Sequence, residues 1–467
     1  LCFDAGRGRK VNATLKPYPA YQDSGVPWLG DVPVHWEMRR QRNVVQMLVS
    51  TVDKHTIEGE SPVRLCNYVD VYKNDLITDQ VAFMRASASQ VEVERFRLRR
   101  GDVVITKDSE SWIDIGVPAL VEYEAPDLVC GYHLAILRPH NHALTGGYLL
   151  RALQSQGVAV QYHVSANGVT RYGLSHDAIK SVILPIPTLP EQTAIVRFLD
   201  HAERRIRRYI GAKQKLIGLL QEQKQAMIQQ AVTRGLDPDV RLKPSGVAWL
   251  GDVPAHWEIK RAKYYLREVN ERSTTGEEEL LSVSHITGVT PRSQKNITMF
   301  KASSYVGHKR CQPGDLAVNT MWVWMGALGI VKQTGIVSSS YSVYRLLSVD
   351  AFVGDFLDSL LRTLPYVSEY VSRSTGIRSS RLRVYPEEFL KIPLVQPPYQ
   401  EQVYIVEAVE QQTQYLDRTI AQARHQIELM GEYRTRLIAD VVTGKVDVRQ
   451  VAAELPEEAE EEEGEEL

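Results

Sequence analysis

The stretch SGVPWLGDVPVHWE at residues 24–37 returns as SGVAWLGDVPAHWE at 245–258, changed only at Pro27/Ala248 and Val34/Ala255. Self-similarity of this kind constrains a fold more than composition does, because each copy must build the same local unit. Three further landmarks recur in the same order. RRGDVVIT at 99–106 answers QPGDLAVN at 312–319, in each case a Gly-Asp turn entering an apolar strand. GVTRYGLSHDAIKSVILPIP from Gly168 answers GIRSSRLRVYPEEFLKIPLV from Gly376, with Leu174 and Leu382 equally far ahead of Pro185 and Pro393. LPEQTAIVRFLD at 189–200 answers YQEQVYIVEAVE at 399–410, and from that Glu-Gln the copies run without a gap to MIQQAVT (227–233) and LIADVVT (437–443).

Some forty residues without proline, opened by Pro190-Glu191 or by Gln400-Glu401, read as a long helix in each copy. Apolar residues fall on an alternating three/four spacing. In the first copy these are Ile195, Leu199, Ala202, Ile206, Tyr209, Leu216, Leu220 and Met227, with Lys213 at an interior position. In the second they are Ile405, Val409, Leu416, Ala423, Met430 and Leu437, with Gln412, Thr419 and Tyr433 at intervening steps. A stripe this narrow, sustained over several heptads, is a coiled-coil seam, and two such helices in one chain can satisfy each other. Forty residues at about 1.5 Å each make a rod of roughly 60 Å. The expected fold class is α+β: two mixed α/β globular domains in a pseudo-two-fold arrangement, separated by two long antiparallel helices forming a coiled coil. The expected boundaries are an N-terminal arm at 1–17, a first globule at 18–187 and a central helical region at 188–239. A second globule follows at 240–396, then a C-terminal helical region at 397–445 and an acidic disordered tail at 446–467.

A chain of 467 residues exceeds what one core usually supports, in keeping with two globules. Its 43% hydrophobic and 24% charged residues are those of a globular protein. The uncharged, largely apolar run Leu316–Val331 contains Asn319, Thr320 and two glycines and is too short to span a bilayer. The opening LCFDAGRGRK carries no secretory pattern, so the expected location is the cytoplasm. Four scattered cysteines offer no zinc spacing or disulfide framework, and no metal site is expected. The net charge of −2 hides a segregation. The last fourteen residues hold nine Glu, and removing those nine negative charges from −2 leaves +7 for residues 1–453. The tail reads as a solvating end or as a competitor with nucleic acid for the basic body.

At these residues the sequence resembles the specificity subunits of type I DNA restriction–modification enzymes. The opener SGV-x-WLG-x-VP-x-HWE, the Gly-Asp-apolar turn, the proline-rich run into Glu-Gln and the helix closing in Val-Thr-Gly or Val-Thr-Arg-Gly carry the likeness over roughly residues 18–445. The resemblance implies that each globule is a target-recognition domain reading one half of a split, asymmetric site in double-stranded DNA. It implies that the helices set the half-site spacing and dock two modification (methyltransferase) subunits, joined by two ATP-dependent restriction subunits. The chain itself would be non-catalytic and without cofactor, with S-adenosylmethionine, ATP and Mg on its partners. The repeat then has a reason: one frame is built twice, whereas residues of about 39–98 and 260–310 diverge because each copy meets different bases.

Affinity for a duplex comes mostly from Lys and Arg on phosphates and specificity from base edges, so candidates are basic or amide residues in the divergent parts and in loops after glycines. In the first globule these are Lys73, Asn74, Arg85, Lys107, Arg171 and Tyr172; in the second, Arg292, Lys295, Asn296, Lys309, Arg310, Arg378 and Arg381. The loops at Gly168–Arg171 and Gly376–Arg378 match in position but differ in content. Arg204, Arg205, Arg207 and Arg208 form a basic cluster on the first helix, absent from Tyr415–Arg418; it reads as a solvated face or as one facing DNA or an acidic partner. Trp28, Trp36, Trp249 and Trp257 read as structural anchors whose indole N–H needs a partner.

Two other function classes compete. QPPYQ at 396–400 looks like the Asn/Asp-Pro-Pro-Tyr of adenine methyltransferases, but Gln396 stands at the polar position and the sister copy reads PIPTL. No GxxxxGK[ST] loop and no G-x-S-x-G elbow is present, and PDVRLK at 238–243 lacks the acidic partner of a nuclease lysine. The other class, a coiled-coil scaffold that does not bind DNA, predicts globules without divergent basic loops.

Overall fold

The computed structural model describes residues 15–295, 304–376 and 382–456. The chain divides into two compact units, Leu1–Ala212 with Gln426–Leu467, and Lys213–His425. Each unit takes one globule and a stretch of both long helices, which run from Leu189 to Arg234 and from Tyr399 to Val442.

In the first unit a five-stranded sheet has the order Val45–Val49, Leu134–Pro139, Val103–Thr106, Pro118–Val121, Leu76–Ile77, with only the last pair parallel. The sheet is buried on both faces, which is why VVIT reads as a continuous apolar run. Val103 and Ile105 pack with Tyr148, Leu149 and Leu153 on one side, while Val104 packs with Cys66, Leu128 and Ile136 on the other. A second, three-stranded sheet joins Leu128–Cys130, Ser61–Cys66 and Met84–Ala88. The second unit repeats the plan with a four-stranded antiparallel sheet, Leu266–Val269, Ser342–Leu346, Leu316–Val318, Leu328–Ile330. Leu316 and Val318 face one core and Ala317 the other.

The Gly-Asp landmark has a structural cause in both copies. Asp102 and Asp315, 2% and 1% exposed, each accept a backbone N–H three residues back and a two-pronged pair of bonds from an arginine of the adjacent strand. Arg138 donates to both carboxylate oxygens of Asp102 at 2.7 Å, and Arg345 to those of Asp315 at 2.7 and 2.9 Å. A buried carboxylate is tolerable when its lone pairs are filled in this way.

The opener and the Glu-Gln motif meet. In the first unit Glu191 contacts His35 Nε2 at 2.9 Å and accepts from Thr188 Oγ1 at 2.9 Å and from the Trp36 indole at 3.5 Å. Burial would raise this carboxyl, but the bonds from His35 and Thr188 outweigh it and hold it below its usual range. In the second unit Glu401 contacts His256 at 2.7 Å and accepts from the Trp257 indole at 3.0 Å. The following glutamine is fully buried in each copy and pins the entry of the next helix. Gln192 donates to Ala143 O and Pro187 O and accepts from Thr145 N; Gln402 donates to Ala351 O and Pro397 O and accepts from Val353 N. Each opener also covers the end of a long helix. Gly444 (φ 70°) closes the second helix so tightly against Pro33 that a Cβ there would stand 2.4 Å from its Cδ, and Gly235 (φ 79°) closes the first beside Trp257. Trp36 and Trp257 are the anchors expected, whereas the Trp28 side chain is 49% exposed and Trp249 lies edge-on to Tyr366.

Within each unit the helical stretches pair antiparallel: Glu203 meets Arg434 and Tyr209 meets Gln426 in the first, Lys224 meets Asp417 in the second. Of the expected seam, Ile195, Leu199, Ile206, Ile405, Leu416 and Leu437 are buried, and Leu220, Met227, Val409 and Met430 are half-buried. Leu216 is a correction. It is exposed while its neighbour Ile217 is half-buried, because two adjacent apolar residues leave the phase of a heptad open by one step. On the second helix the seam passes through Thr413, Ile420 and Arg434 rather than Gln412, Thr419 and Tyr433. Polar residues hold seam positions where they are paired, as in the Glu203–Arg434 bond at 2.6 Å.

Two further expectations shift. Strand Ile183–Ile186 pairs with Glu37–Arg40, and Pro393–Gln396 pairs with Glu258–Arg261, so Ile183 is the counterpart of Pro393, whereas an ungapped count from the glycines sets it against Lys391. The proline match of Pro185 with Pro393 is therefore coincidental: two-stranded edge pairs accept proline at more than one position. The tail expected from 446 starts later. Residues Arg449–Glu454 form a helix, Val448, Val451 and Ala452 are buried, and Asp447 bridges to Lys16, a residue assigned to the N-terminal arm. The acidic run begins only at Glu454, after enough apolar side chains to hold the segment down. Among the described residues no helix is long and apolar enough to cross a membrane.

Candidate nucleic-acid interface

The Gly168 loop of the first unit is the tip of a tight hairpin closed by Asn167 and Gly173, which exchange backbone hydrogen bonds at 3.1 and 2.9 Å. Gly168 has φ 148°, and a Cβ on it would fall 1.9 Å from Arg171 O, so the turn requires glycine. Tyr172–Gly173 pairs with Asp108–Ser109, bringing Arg171 and Tyr172 beside Lys107.

Around this hairpin lies a polar and aromatic cluster. Asp108 accepts from Lys107 Nζ at 3.0 Å and contacts His133 Nδ1 at 3.1 Å; burial would raise its carboxyl, but these two partners hold it low. The Arg171 guanidinium lies within 3.1 Å of both His133 ring nitrogens, and the Tyr132 ring packs 3.7 Å from the imidazole. Tyr68 reaches Ser109 Oγ at 3.1 Å and stacks on Tyr72, with ring centroids 5.6 Å apart and 13° between planes. The charge of Asp114 beside Tyr72 pushes its phenol up. Trp112 and Ile113, 48% and 57% exposed, project from the same 108–114 segment, and the Trp112 ring meets His163 edge-on. Exposed aromatic faces interleaved with cations form a surface on which bases and sugar-phosphates can both be held.

Lys107, Arg171 and Tyr172 are thus brought together. Lys73 and Asn74 end the helix that carries Tyr68 and Tyr72, where the Asn74 amide caps Asp70 O at 2.8 Å. Arg85 is exposed on the three-stranded sheet.

The second unit has the same plan with other side chains. Thr375 and Arg383 exchange backbone hydrogen bonds at 2.9 and 3.0 Å, as Asn167 and Gly173 do in the first unit, and Gly376 has φ 151°. Asn296, Arg378 and Arg381 lie outside the described residues. Val384 N donates to Thr320 O as Leu174 N donates to Lys107 O, so in each unit the residue after the closing pair docks on the segment that follows the Gly-Asp strand. That following segment again carries an exposed tryptophan: Trp322, 47% exposed, stacks on Trp324 with centroids 5.9 Å apart. Lys295 Nζ donates to Thr287 Oγ1 at 3.0 Å, Arg292 is half-exposed, and Arg310 pairs with Glu278 at 3.3 Å. Lys309 is a correction. Only 7% exposed and paired with Glu268, it supports the sheet and presents no charge at the surface. Gln396 of the methyltransferase-like QPPYQ has its amide engaged by Tyr265 Oη and Ala351 O, as a structural residue would.

Reasoning from charge alone passes over Trp112 and Trp322, because it weighs basic residues first. Their signal in the sequence is a tryptophan seven to ten residues after the aspartate of each Gly-Asp pair.

Comparison with known proteins fits this geometry. Residues 33–216 match the family model of the type I restriction modification DNA specificity domain. A solved structure concerned with complex assembly and conformational transition of the type I R-M system aligns over 89% of this chain and 99% of its own, at 16% identity and a TM-score of 0.63. The HsdS subunit from Thermoanaerobacter tengcongensis aligns over 89% and 98% at 14% identity, TM-score 0.47. The type I system S subunit from M. genitalium aligns over 87% and 96% at 12% identity, TM-score 0.33. No curated protein matched the sequence. Residues 33–216 are thus similar to the type I restriction modification DNA specificity domain, and the chain as a whole shares its fold with a chain of a type I R-M system.

Proposed function

We propose that the chain reads a bipartite, asymmetric DNA site, one half with each globule, and positions two modification subunits on it. The observation that carries this reading is the pairing of a shared frame with unlike reading surfaces. The Asp102/Asp315 and Glu191/Glu401 contacts repeat. The surfaces around these docking points do not: Lys107, Asp108, His133 and Arg171 stand at one, and Asn319, Thr320, Trp322 and Tyr341 at the other. A scaffold has no use for such divergence. Methyl transfer and ATP-driven cleavage would belong to partner subunits carrying S-adenosylmethionine, ATP and Mg, with the helices setting the spacer between half-sites.

Mobility shift with a random-sequence duplex, with the modification subunit present, tests the reading. With about six phosphates neutralised across two globules, affinity should fall about a thousandfold between 50 and 200 mM salt. Absence of binding under all these conditions would support the scaffold instead.

A further inference from the structure

We propose that the first long helix carries a docking face for the chain's own acidic terminal segment, residues 457–467. Arg197, His201, Arg204 and Arg208 are spaced four, three and four apart and so lie on one side of the helix. Arg197, His201 and Arg204 line an open cleft of about 540 Å³ together with Leu455 and Pro456. Arg197 Nη2 donates to Leu455 O at 2.5 Å and to Pro456 O at 3.4 Å, so the chain is delivered to this face immediately ahead of residues 457–467. Asp200, the carboxylate in the cleft, is paired with Arg151, and Arg207 points away to Glu203 and Asp75. Eight of the eleven residues after Pro456 are glutamates.

Charge complementarity and reach both favour this occupant. Arg197 to Arg208 spans about 16 Å of helix, and eleven extended residues cover about 36 Å. Because the segment is tethered at the edge of the cleft, its effective concentration there is on the order of millimolar, enough to exceed any free acidic peptide. The basic stretch of the helix is then screened by the chain itself.

The test uses the full chain with the eight glutamates of 457–467 changed to glutamine, and a fluorescein-labelled peptide of residues 454–467 as probe. Anisotropy should show the peptide binding this chain at least about tenfold more tightly than the wild type, whose own segment occupies the face. Binding should weaken from about 50 to about 500 mM salt. It should be lost on adding Arg197→Gln, Arg204→Gln and Arg208→Gln and kept with lysine at the same positions. Equal binding to wild-type and glutamine-tailed chains overturns the proposal, even if the triple glutamine variant does not fold. So does peptide binding that survives the triple variant while affinity for a random duplex falls, which would make DNA the occupant.

Discussion

Trp257→Ala should destabilise the second unit by about 4 kcal/mol, as removal of a fully buried tryptophan does. The side chain is 0% exposed and packs in a core that includes Val253, Tyr366, Leu394 and Ile405. Its indole also donates to Glu401, so truncation leaves both a cavity and a carboxylate short of a partner. Trp28→Ala is the internal control: half-exposed, it should cost no more than about 1 kcal/mol. Denaturant unfolding followed by hydrogen exchange at amides of 316–346 distinguishes the two. A loss below about 1 kcal/mol for Trp257→Ala, or an equal loss for Trp28→Ala, would mean that the repeated opener is not the clamp between globule and helix ends.

The second large effect is expected on DNA. Arg171→Ala with Trp112→Ala should weaken binding of the complex to its own site by about a hundredfold, from one cationic and one stacking contact of about 1–3 kcal/mol each. The two residues are held by the hairpin and by the 108–114 segment beside it, so the fold should survive: both side chains are exposed. Gly168→Ala should reproduce much of the loss with every charge intact, since a Cβ on Arg171 O forces the hairpin to move. Titration of the assembled complex with its cognate duplex is the check. Unchanged affinity in the double variant would remove this surface from the DNA.

The frame was legible in the sequence because its residues do the same work twice. Identical HWE and EQ motifs meet through equivalent His–Glu and Trp–Glu contacts, and a Gly-Asp pair sits where a turn must hide a carboxylate under an arginine. Helix limits were readable from proline at the start and glycine at the end. Register was harder. Leu216 and Ile217 are chemically equivalent, so only packing chooses between them, and the strand pairs at Ile183 and Pro393 depend on partners more than a hundred residues away. Exposure of a single charge is less legible still. Lys309 and Arg310 are adjacent in a strand and therefore point to opposite faces, one into the sheet and one outward. Nothing in their types says which.

Two dissimilar globules that each read part of one DNA site would leave their mark on the sequences they select. Selection of duplexes from a random library by the chain assembled with its modification subunits tests this most directly. Two short conserved blocks separated by a fixed spacer are expected, with Arg171→Ala relaxing one block and leaving the other and the spacer unchanged. A single uninterrupted block, or relaxation of both blocks by that one substitution, would contradict this.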